Sequence, residues 1–329
     1  MALLEVRDLS VTFTRGGVAQ TRAVDGLSFT VEAGKTVGLV GESGCGKSVT
    51  SLAIMGLLPK RGVRITGEVL FEGTDLLTLG DRQMRDRRGR DIGMIFQDPL
   101  NSLNPVIPIG RQVTEVLERH RRMSGKAAKA EAERLLNEVG IPDPRRRLSE
   151  YPHQLSGGMR QRALIATALA CNPRLLIADE PTTALDVTIQ AQILALLKRL
   201  VDDSDTALIM ITHDLGVVAG LCDTVNVLYA GRAVETSERH LLFADPRHPY
   251  THGLLASVPR LDAPRGGKLN AIRGSVNDNI PWTSGCAFAP RCDHEIETCT
   301  QQTPALESDG QRLLRCFNPV VPAEQGATA

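Results

Sequence analysis

The sequence is poor in aromatic residues and carries no excess of charge. Phe, Trp and Tyr make up 3% of the 329 residues, so we expect a core built mainly from Leu, Ile, Val and Ala. The 38 basic and 38 acidic residues balance each other. Because proteins that bind nucleic acid usually present a basic surface, this balance gives no reason to expect such a partner. The short basic runs at 85–90 and 145–147 are interpreted as solvated surface charge.

Long apolar runs are also missing. No stretch approaches the roughly 20 apolar residues that a helix needs to cross a bilayer. Residues 1–10 alternate apolar and charged side chains, which differs from the continuous apolar core of a signal peptide. We therefore expect a cytoplasmic chain whose role at a membrane depends on its partners.

Short apolar runs alternate with helical stretches along much of the chain. Five such runs predict buried strands: 35–40, 91–96, 174–178, 206–211 and 224–229. Strands that alternate with helices predict an α/β fold with a mainly parallel sheet covered on both faces. Residues 4–13 and 23–31 predict two further strands that pair antiparallel at the start of the chain.

Two regions depart from this alternation. Between about 98 and 170 the strand-like runs disappear, and residues 109–122 and 126–139 predict helices, which indicates a helical insertion in the α/β core. From about residue 241 the chain becomes rich in Pro, Gly and Cys. We therefore predict a first domain over 1–240 and a small C-terminal module over 241–329.

A glycine-rich segment, Gly41–Ser48, lies between a predicted strand and a predicted helix and reads G-x-x-x-x-G-K-S. Its glycines allow backbone N–H groups to turn toward phosphate oxygens, and the helix N-terminus adds partial positive charge. Lys47 is expected to reach the β- and γ-phosphates of ATP, and Ser48 to help hold Mg²⁺. A glycine-rich turn without a ligand is the alternative. The predicted nucleotide contacts are Gly41, Ser43, Gly44, Cys45, Gly46, Lys47, Ser48 and Val49.

A pair of carboxylates follows the apolar run that begins at Leu175. Asp179, at the expected strand end, suits a role as a Mg²⁺ partner. Strand alternation predicts that Glu180 points the other way, where it could accept a proton from an attacking water. Taken alone, such a pair is as consistent with a helix cap as with catalysis. Combined with the glycine-rich loop, it favours ATP hydrolysis.

A third motif precedes these carboxylates by about twenty residues. Ser156, Gly157 and Gly158, followed by Met159, open a predicted helix and form a second candidate anion site. An ordinary helix cap with a flexible turn is the alternative. The segment closely resembles the signature motif of ABC-type ATPases, and together with the other motifs this resemblance extends over nearly the whole chain. It implies the P-loop ATPase fold of that family, with a mixed sheet and an antiparallel β subdomain.

The resemblance assigns further roles. Gln97 matches the residue of the family's Q-loop, which joins Mg²⁺ and water chemistry to the transmembrane partner. Residues 156–158 match the signature that closes over the γ-phosphate of ATP held by the opposing subunit, and 184–186 match the D-loop. His213 resembles the switch histidine that contacts the γ-phosphate. Phe13 lies where the family stacks an aromatic ring on adenine.

One departure from the general signature indicates a branch of the family. Met159 stands where the general motif has Gln, and Ser-Gly-Gly-Met resembles the dipeptide/oligopeptide importers. The segments 97–105, 183–188, 213–218 and 248–250 resemble the same branch.

Membership of this branch implies an ATP-hydrolysing subunit that powers peptide import from the cytoplasmic face of the membrane, where it is peripheral. The implied partners are a paralogous ATPase subunit in a heterodimer, two permease subunits and, indirectly, an extracytoplasmic peptide-binding protein. Nickel or a glutathione-like compound is an alternative cargo. A soluble ABC ATPase acting on ribosomes or DNA is a second alternative.

Four of the seven cysteines, Cys286, Cys292, Cys299 and Cys316, fall in the last fifth of the chain with the spacing C-x5-C-x6-C-x16-C. In a reducing cytosol such a group indicates a metal rather than disulfides. Zinc ribbons prefer tight C-x2-C pairs, whereas four thiolates also suit an iron–sulfur cluster. The resembling importers carry a [4Fe-4S] cluster in this tail, and residues 285–292 are similar to theirs. We therefore expect a cluster that stabilises the module, with zinc or unliganded thiols as alternatives.

Overall fold

The computed structural model describes residues 2–15, 19–183, 185–257, 272–275 and 284–321. The strands are β1 (Ala2–Arg15), β2 (Ala19–Glu32), β3 (Thr36–Val40), β4 (Val63–Phe71), β5 (Thr74–Asp75), β6 (Ile92–Ile95), β7 (Leu175–Asp179), β8 (Ala207–Thr212), β9 (Thr224–Tyr229), β10 (Arg232–Glu238), β11 (Glu307–Asp309) and β12 (Arg312–Leu314). The helices are α1 (Lys47–Ile54), α2 (Asp81–Arg87), α3 (Pro99–Ser102), α4 (Ile109–Arg121), α5 (Gly125–Glu138), α6 (Pro144–Arg147), α7 (Gly157–Leu169), α8 (Val187–Asp202), α9 (Leu215–Leu221), α10 (Arg239–Ala244), α11 (Pro249–Ala256) and α12 (Glu297–Gln301).

These elements fall into two compact units. The first unit comprises Met1–Leu4, Thr30–Thr36 and Leu70–Ile211. The second comprises Glu5–Phe29, Val37–Val69 and Thr212–Ala329.

The first unit contains three parallel strands, in which β7 pairs with β6 on one side and with β8 on the other. Every residue of β7 is buried. A parallel strand covered on both faces reads as a continuous apolar run, which is why Leu175–Ala178 could be recognised in the sequence. Burying each of the side chains of Leu175, Leu176 and Ile177 contributes about 1.5–3 kcal/mol relative to leaving it exposed. The strand therefore fixes the position of Asp179, its last residue.

Helices replace strands throughout residues 98–170 of the first unit. In α4, Ile109, Val113 and Leu117 are buried at intervals of four residues, so one face of the helix is apolar. Helix α4 contacts α5, in which Ala128 and Ala132 are buried. The predicted helical insertion is therefore confirmed, and both predicted helices end one residue earlier than expected.

The second unit contains a mixed sheet. Strand β3 pairs parallel to β9, β9 pairs antiparallel to β10, and β12 pairs antiparallel to both β10 and β11. In a second sheet, β1 lies between β2 and β4. The predicted α/β class, with its mixed sheet and β subdomain, is confirmed. Strands β4, β5, β10, β11 and β12 were not predicted.

The described residues from 241 onward belong to the second unit, together with β3 and the glycine-rich loop. The pairing of β12 with β10 brings the last described strand against residues of the predicted first domain. The division into 1–240 and 241–329 stays a prediction. Among the described residues, no helix combines the length and the apolar character needed to cross a membrane.

Candidate functional site

The glycine-rich loop joins β3 to α1 in the second unit. Gly41 has φ 152°, and a Cβ atom there would lie 2.2 Å from the carbonyl oxygen of Leu228. Gly46 has φ 95°, and a Cβ atom there would lie 2.3 Å from the carbonyl oxygen of Ala23. Both positions therefore require glycine, for backbone conformation and for space.

Lys47 is the first residue of α1 and is 4% exposed. Its ammonium group donates to the carbonyl oxygens of Gly41, at 2.7 Å, and Glu42, at 2.9 Å. The first turn of α1 contains no acidic residue, so the partial positive charge of the helix N-terminus is not offset there. The loop thus combines a cation, a helix N-terminus and a glycine-permitted backbone, which together suit an anionic phosphate group.

The remaining residues of the loop that are predicted to contact the nucleotide differ in exposure. Ser43 and Gly44 are exposed, Cys45 is buried, and Ser48 and Val49 are half-buried in the first turn of α1. Burial raises the pKa of the Cys45 thiol, although the nearby ammonium of Lys47 partly opposes the rise. Cys45 is therefore a neutral packing residue of the loop at neutral pH.

The two predicted carboxylates lie where β7 ends in the first unit. Asp179 is 5% exposed and pairs in register with Ile211 of β8. Glu180 has φ 46°, a left-handed conformation that is uncommon for a residue with a side chain, and its N–H donates to the carbonyl oxygen of Ile211. The prediction that strand alternation sets the direction of Glu180 is therefore wrong, because the strand has already ended at Asp179.

Gln97 and Glu180, both predicted to be catalytic, are hydrogen bonded to each other in the first unit. Nε2 of Gln97, just after β6, donates to Oε2 of Glu180 at 2.9 Å. The hydroxyl of Thr183 donates to the same oxygen, also at 2.9 Å. These two donors orient the Glu180 carboxylate, and a strained backbone held by such contacts is frequent at functional sites.

The predicted signature residues form the start of α7. The hydroxyl of Ser156 accepts the N–H of Met159 at 3.3 Å, so Ser156 is an N-cap, and it is exposed. A Cβ atom on Gly158 would lie 2.8 Å from Cγ2 of Ile189 in α8. Glycine is therefore needed for the close approach of α7 and α8, and the exposed N-terminus of this 13-residue helix can receive an anion.

The other predicted site residues lie on or next to β1, β8 and α8. His213 is exposed directly after β8, next to Asp214, whose carboxylate caps α9 through the N–H of Gly216 at 2.7 Å. Phe13 is half-buried on β1. In the predicted D-loop, Asp186 caps α8, whereas Ala184 lies outside the described residues.

The four C-terminal cysteines lie within electrostatic reach of one another in the second unit. Burial raises the pKa of Cys292 to about 11 and that of Cys316 to about 12, and Cys286 and Cys299 add to both rises. Burial also raises the pKa of Cys286, with a further rise from Cys299. Backbone N–H groups lower these pKa values: His294 acts on Cys292, Asn318 on Cys316, and Phe288 and Ala289 on Cys286.

Two residues that the sequence did not indicate contact the glycine-rich loop. Tyr250 of α11 and Arg291, which precedes Cys292, both hydrogen bond to Glu42. Both lie in segments that resemble the importer branch, 248–250 and 285–292, but that resemblance gave no indication of a contact with Glu42, which is 208 and 249 residues away in the sequence. A contact between residues so far apart produces no pattern in the local sequence.

Comparison with known proteins agrees with this arrangement. A family model described as "ABC transporter" matches residues 24–183, and one described as "Oligopeptide/dipeptide transporter, C-terminal region" matches residues 234–299. The dipeptide transport ATP-binding protein DppD of Bacillus subtilis is 54% identical over 315 residues, which cover 94% of this chain and 93% of DppD. The oligopeptide transport ATP-binding protein OppD of Salmonella typhimurium is 51% identical over 318 residues, covering 97% of this chain and 94% of OppD.

A solved structure shows the same fold. The dimeric ATP-binding cassette MJ0796, in a post-hydrolysis state bound to ADP and Pi, has a TM-score of 0.65 and 28% sequence identity, covering 72% of this chain and 98% of its own. The relatives match this chain through both the ATPase region and the C-terminal region. The chain therefore belongs to the ABC transporter ATP-binding proteins, in the family that carries the oligopeptide/dipeptide transporter C-terminal region.

Proposed function

We propose that this chain hydrolyses ATP to power the import of dipeptides or oligopeptides through a multi-subunit ABC importer. The observation that carries the proposal is the identity of 54% with a dipeptide transport protein over 94% of the chain. That match includes the C-terminal region as well as the ATPase motifs. Import of nickel or of a glutathione-like compound by the same machinery is the second candidate, since an ATPase subunit need not contact the cargo.

Each predicted site residue has a proposed role. Gly41 and residues 43–49, which include Lys47, bind the phosphates of ATP, and Phe13 stacks on adenine. Mg²⁺ coordination is assigned to Ser48, Gln97 and Asp179. Glu180 is the general base, and its hydrogen bond with Gln97 supports this assignment because it orients the carboxylate. His213 contacts the γ-phosphate.

The signature motif implies a second ATPase subunit. Ser156, Gly157 and Gly158 are proposed to bind the γ-phosphate of ATP held by that subunit, which we propose to be a paralogue in a heterodimer. The exposure of Ser156 at a helix N-terminus supports this role. Two permease subunits then hold the pair at the cytoplasmic face of the membrane. An extracytoplasmic peptide-binding protein delivers the cargo to the permease subunits on the opposite face.

The function is tested by uptake into liposomes that contain this chain assembled with its ATPase and permease partners. We expect ATP-dependent accumulation of labelled peptides, and loss of it in Lys47→Ala, which removes the proposed phosphate contact. Lys198→Ala, at an exposed position of α8, is the matched control and retains uptake. Accumulation of nickel without peptide would favour the second candidate. Failure to assemble with any permease in mild detergent would contradict both.

We further propose that Cys286, Cys292, Cys299 and Cys316 hold a [4Fe-4S] cluster. The donor set fits, since soft thiolates suit iron–sulfur clusters and backbone N–H groups directed at the sulfurs stabilise them. Among the described residues, no group of three or more His, Cys, Asp or Glu side chains is arranged so that it could hold a metal ion. Bound there, the cluster would cross-link four points of a loop-rich segment.

Iron analysis after anaerobic purification tests this proposal. We expect about four iron atoms per chain and the broad visible absorption of an iron–sulfur cluster. Cys292→Ser is expected to lose most of the iron, whereas Cys171→Ser, outside the set, retains it. A folded, colourless protein without iron would overturn the proposal, and one zinc per chain would replace it with the zinc alternative.

A further inference from the structure

Glu42, the second residue of the glycine-rich loop, uses all of its polar groups in contacts within the second unit. Its N–H donates to the hydroxyl of Tyr250 at 2.9 Å, and its carbonyl oxygen accepts from the ammonium of Lys47 at 2.9 Å. Its carboxylate binds both terminal nitrogens of Arg291, at 2.7 Å and 2.9 Å. The G-x-x-x-x-G-K-S pattern leaves this position open, so these contacts are a property of the chain beyond the motif.

Arg291 is held rigidly. Its side chain is 2% exposed, and apart from Glu42 it donates to the carbonyl oxygens of Arg273 and Gly274 and to the hydroxyl of Tyr229. The hydrogen bonds with Glu42 are the main cause of a raised pKa for the guanidinium, which therefore stays charged. A planar guanidinium with all these partners cannot shift without breaking several bonds at once.

Tyr250 is equally fixed. It is fully buried in α11, and its ring packs against those of Tyr229, with centroids 4.8 Å apart, and Phe288, at 5.3 Å. In a chain with 3% aromatic residues, three of them meet behind the glycine-rich loop. Burial raises the pKa of the Tyr250 hydroxyl, so it remains a neutral group that accepts the N–H of Glu42.

We propose that Arg291 and Tyr250 are positioning residues of the ATP site. They hold the outer side of the glycine-rich loop, so that the carbonyl oxygen of Glu42 keeps Lys47 in place before ATP arrives. A loop that is ordered in advance loses less conformational freedom when it binds its ligand. The segment around Cys292 thereby acts on ATP binding as well as on its own stability.

The proposal predicts that Arg291→Met weakens ATP binding by the full-length chain about tenfold, within the usual range of coupling between sites. Titration with a fluorescent ATP analogue and Mg²⁺ measures the affinity. In the assembled ATPase we expect a higher KM and an almost unchanged kcat, because Arg291 does not touch the reacting atoms. Tyr250→Phe, which removes the acceptor of one loop N–H but keeps the ring packing, is expected to act in the same direction.

Arg315→Met is the matched control. Arg315 also precedes a cysteine of the set, and its guanidinium donates to the carbonyl oxygens of Ala233 and Pro304, away from the loop. We expect this variant to lower the melting temperature without changing ATP affinity. If Arg291→Met and Arg315→Met lower the melting temperature alike and neither changes ATP affinity, the role of Arg291 is structural and the proposal fails.

A double-mutant cycle provides a second measurement. Glu42→Gln and Arg291→Met remove the same ion pair, so the double variant should lose little more affinity than Arg291→Met. Additive losses in ATP affinity would show that the two side chains act independently and would overturn the proposal.

Discussion

In the assembled importer, Glu180→Gln is expected to slow ATP hydrolysis by roughly 10²- to 10⁴-fold while leaving ATP binding intact. The substitution keeps the shape of the side chain and an oxygen that can accept from Gln97 and Thr183, which both donate to Glu180. It removes the negative charge and, with it, the capacity to take a proton from the attacking water. Turnover measured under saturating ATP, together with nucleotide binding, separates the two effects.

Glu138→Gln is the control for this variant, since Glu138 is an exposed carboxylate at the end of α5 that pairs with Arg134. We expect its ATPase rate to match the wild type. If Glu180→Gln also hydrolyses ATP at the wild-type rate, Glu180 is not the general base. If it loses ATP binding instead, the carboxylate has a structural role in the site.

The parts of the fold that could be predicted from the sequence carry short-range signals. The run 175–178 is continuously apolar because β7 is buried on both faces, and Gly41 and Gly46 are glycines because nothing larger fits beside Leu228 and Ala23. In such segments the residue types that the tertiary structure requires also form a pattern that is visible in the local sequence. The predicted strands and helices therefore lie close to the observed ones.

The features that were missed depend on distant contacts. Strand β12 has three residues and is stabilised by pairing with β10, so neither its length nor its composition distinguishes it from a loop. The left-handed backbone of Glu180 was missed because strand alternation was extended one residue too far. The ion pair of Arg291 with Glu42 joins two residues that no motif relates.

The second large effect concerns a buried carboxylate in the second unit. Glu235 of β10 is fully buried and accepts from the N–H groups of Arg247 and His248 and from Nη1 of Arg312, at 3.1, 2.9 and 3.1 Å. Arg312, on β12, also pairs with Asp245 at 2.7 Å. One side chain thus joins β10, β12 and the segment between α10 and α11.

Glu235→Ala is expected to lower the free energy of unfolding by about 3–5 kcal/mol, because it leaves a buried guanidinium without one of its carboxylate partners. It also removes the acceptor of one buried and one part-buried N–H group. Glu235→Gln should also be costly, by about 1–3 kcal/mol. Both carboxylate oxygens accept hydrogen bonds, so the amide nitrogen of Gln would face a donor in either orientation. Urea denaturation followed by far-UV circular dichroism measures both losses.

Glu238→Ala is the matched control, since Glu238 lies on the same strand but is exposed, and its loss should change stability by less than about 0.5 kcal/mol. Equal stability of the two alanine variants would contradict a stabilising role for the buried hydrogen bonds of Glu235.

The hydrogen bonds of Glu235 are also connected to the glycine-rich loop through His248 and Tyr250. The N–H of His248 is bound to Glu235, and Nδ1 of His248 accepts the N–H of Tyr250 at 3.0 Å. Burial lowers the pKa of His248 to about 3, so this acceptor stays neutral and available at physiological pH. Loss of Glu235 should therefore weaken ATP binding in the same direction as Tyr250→Phe.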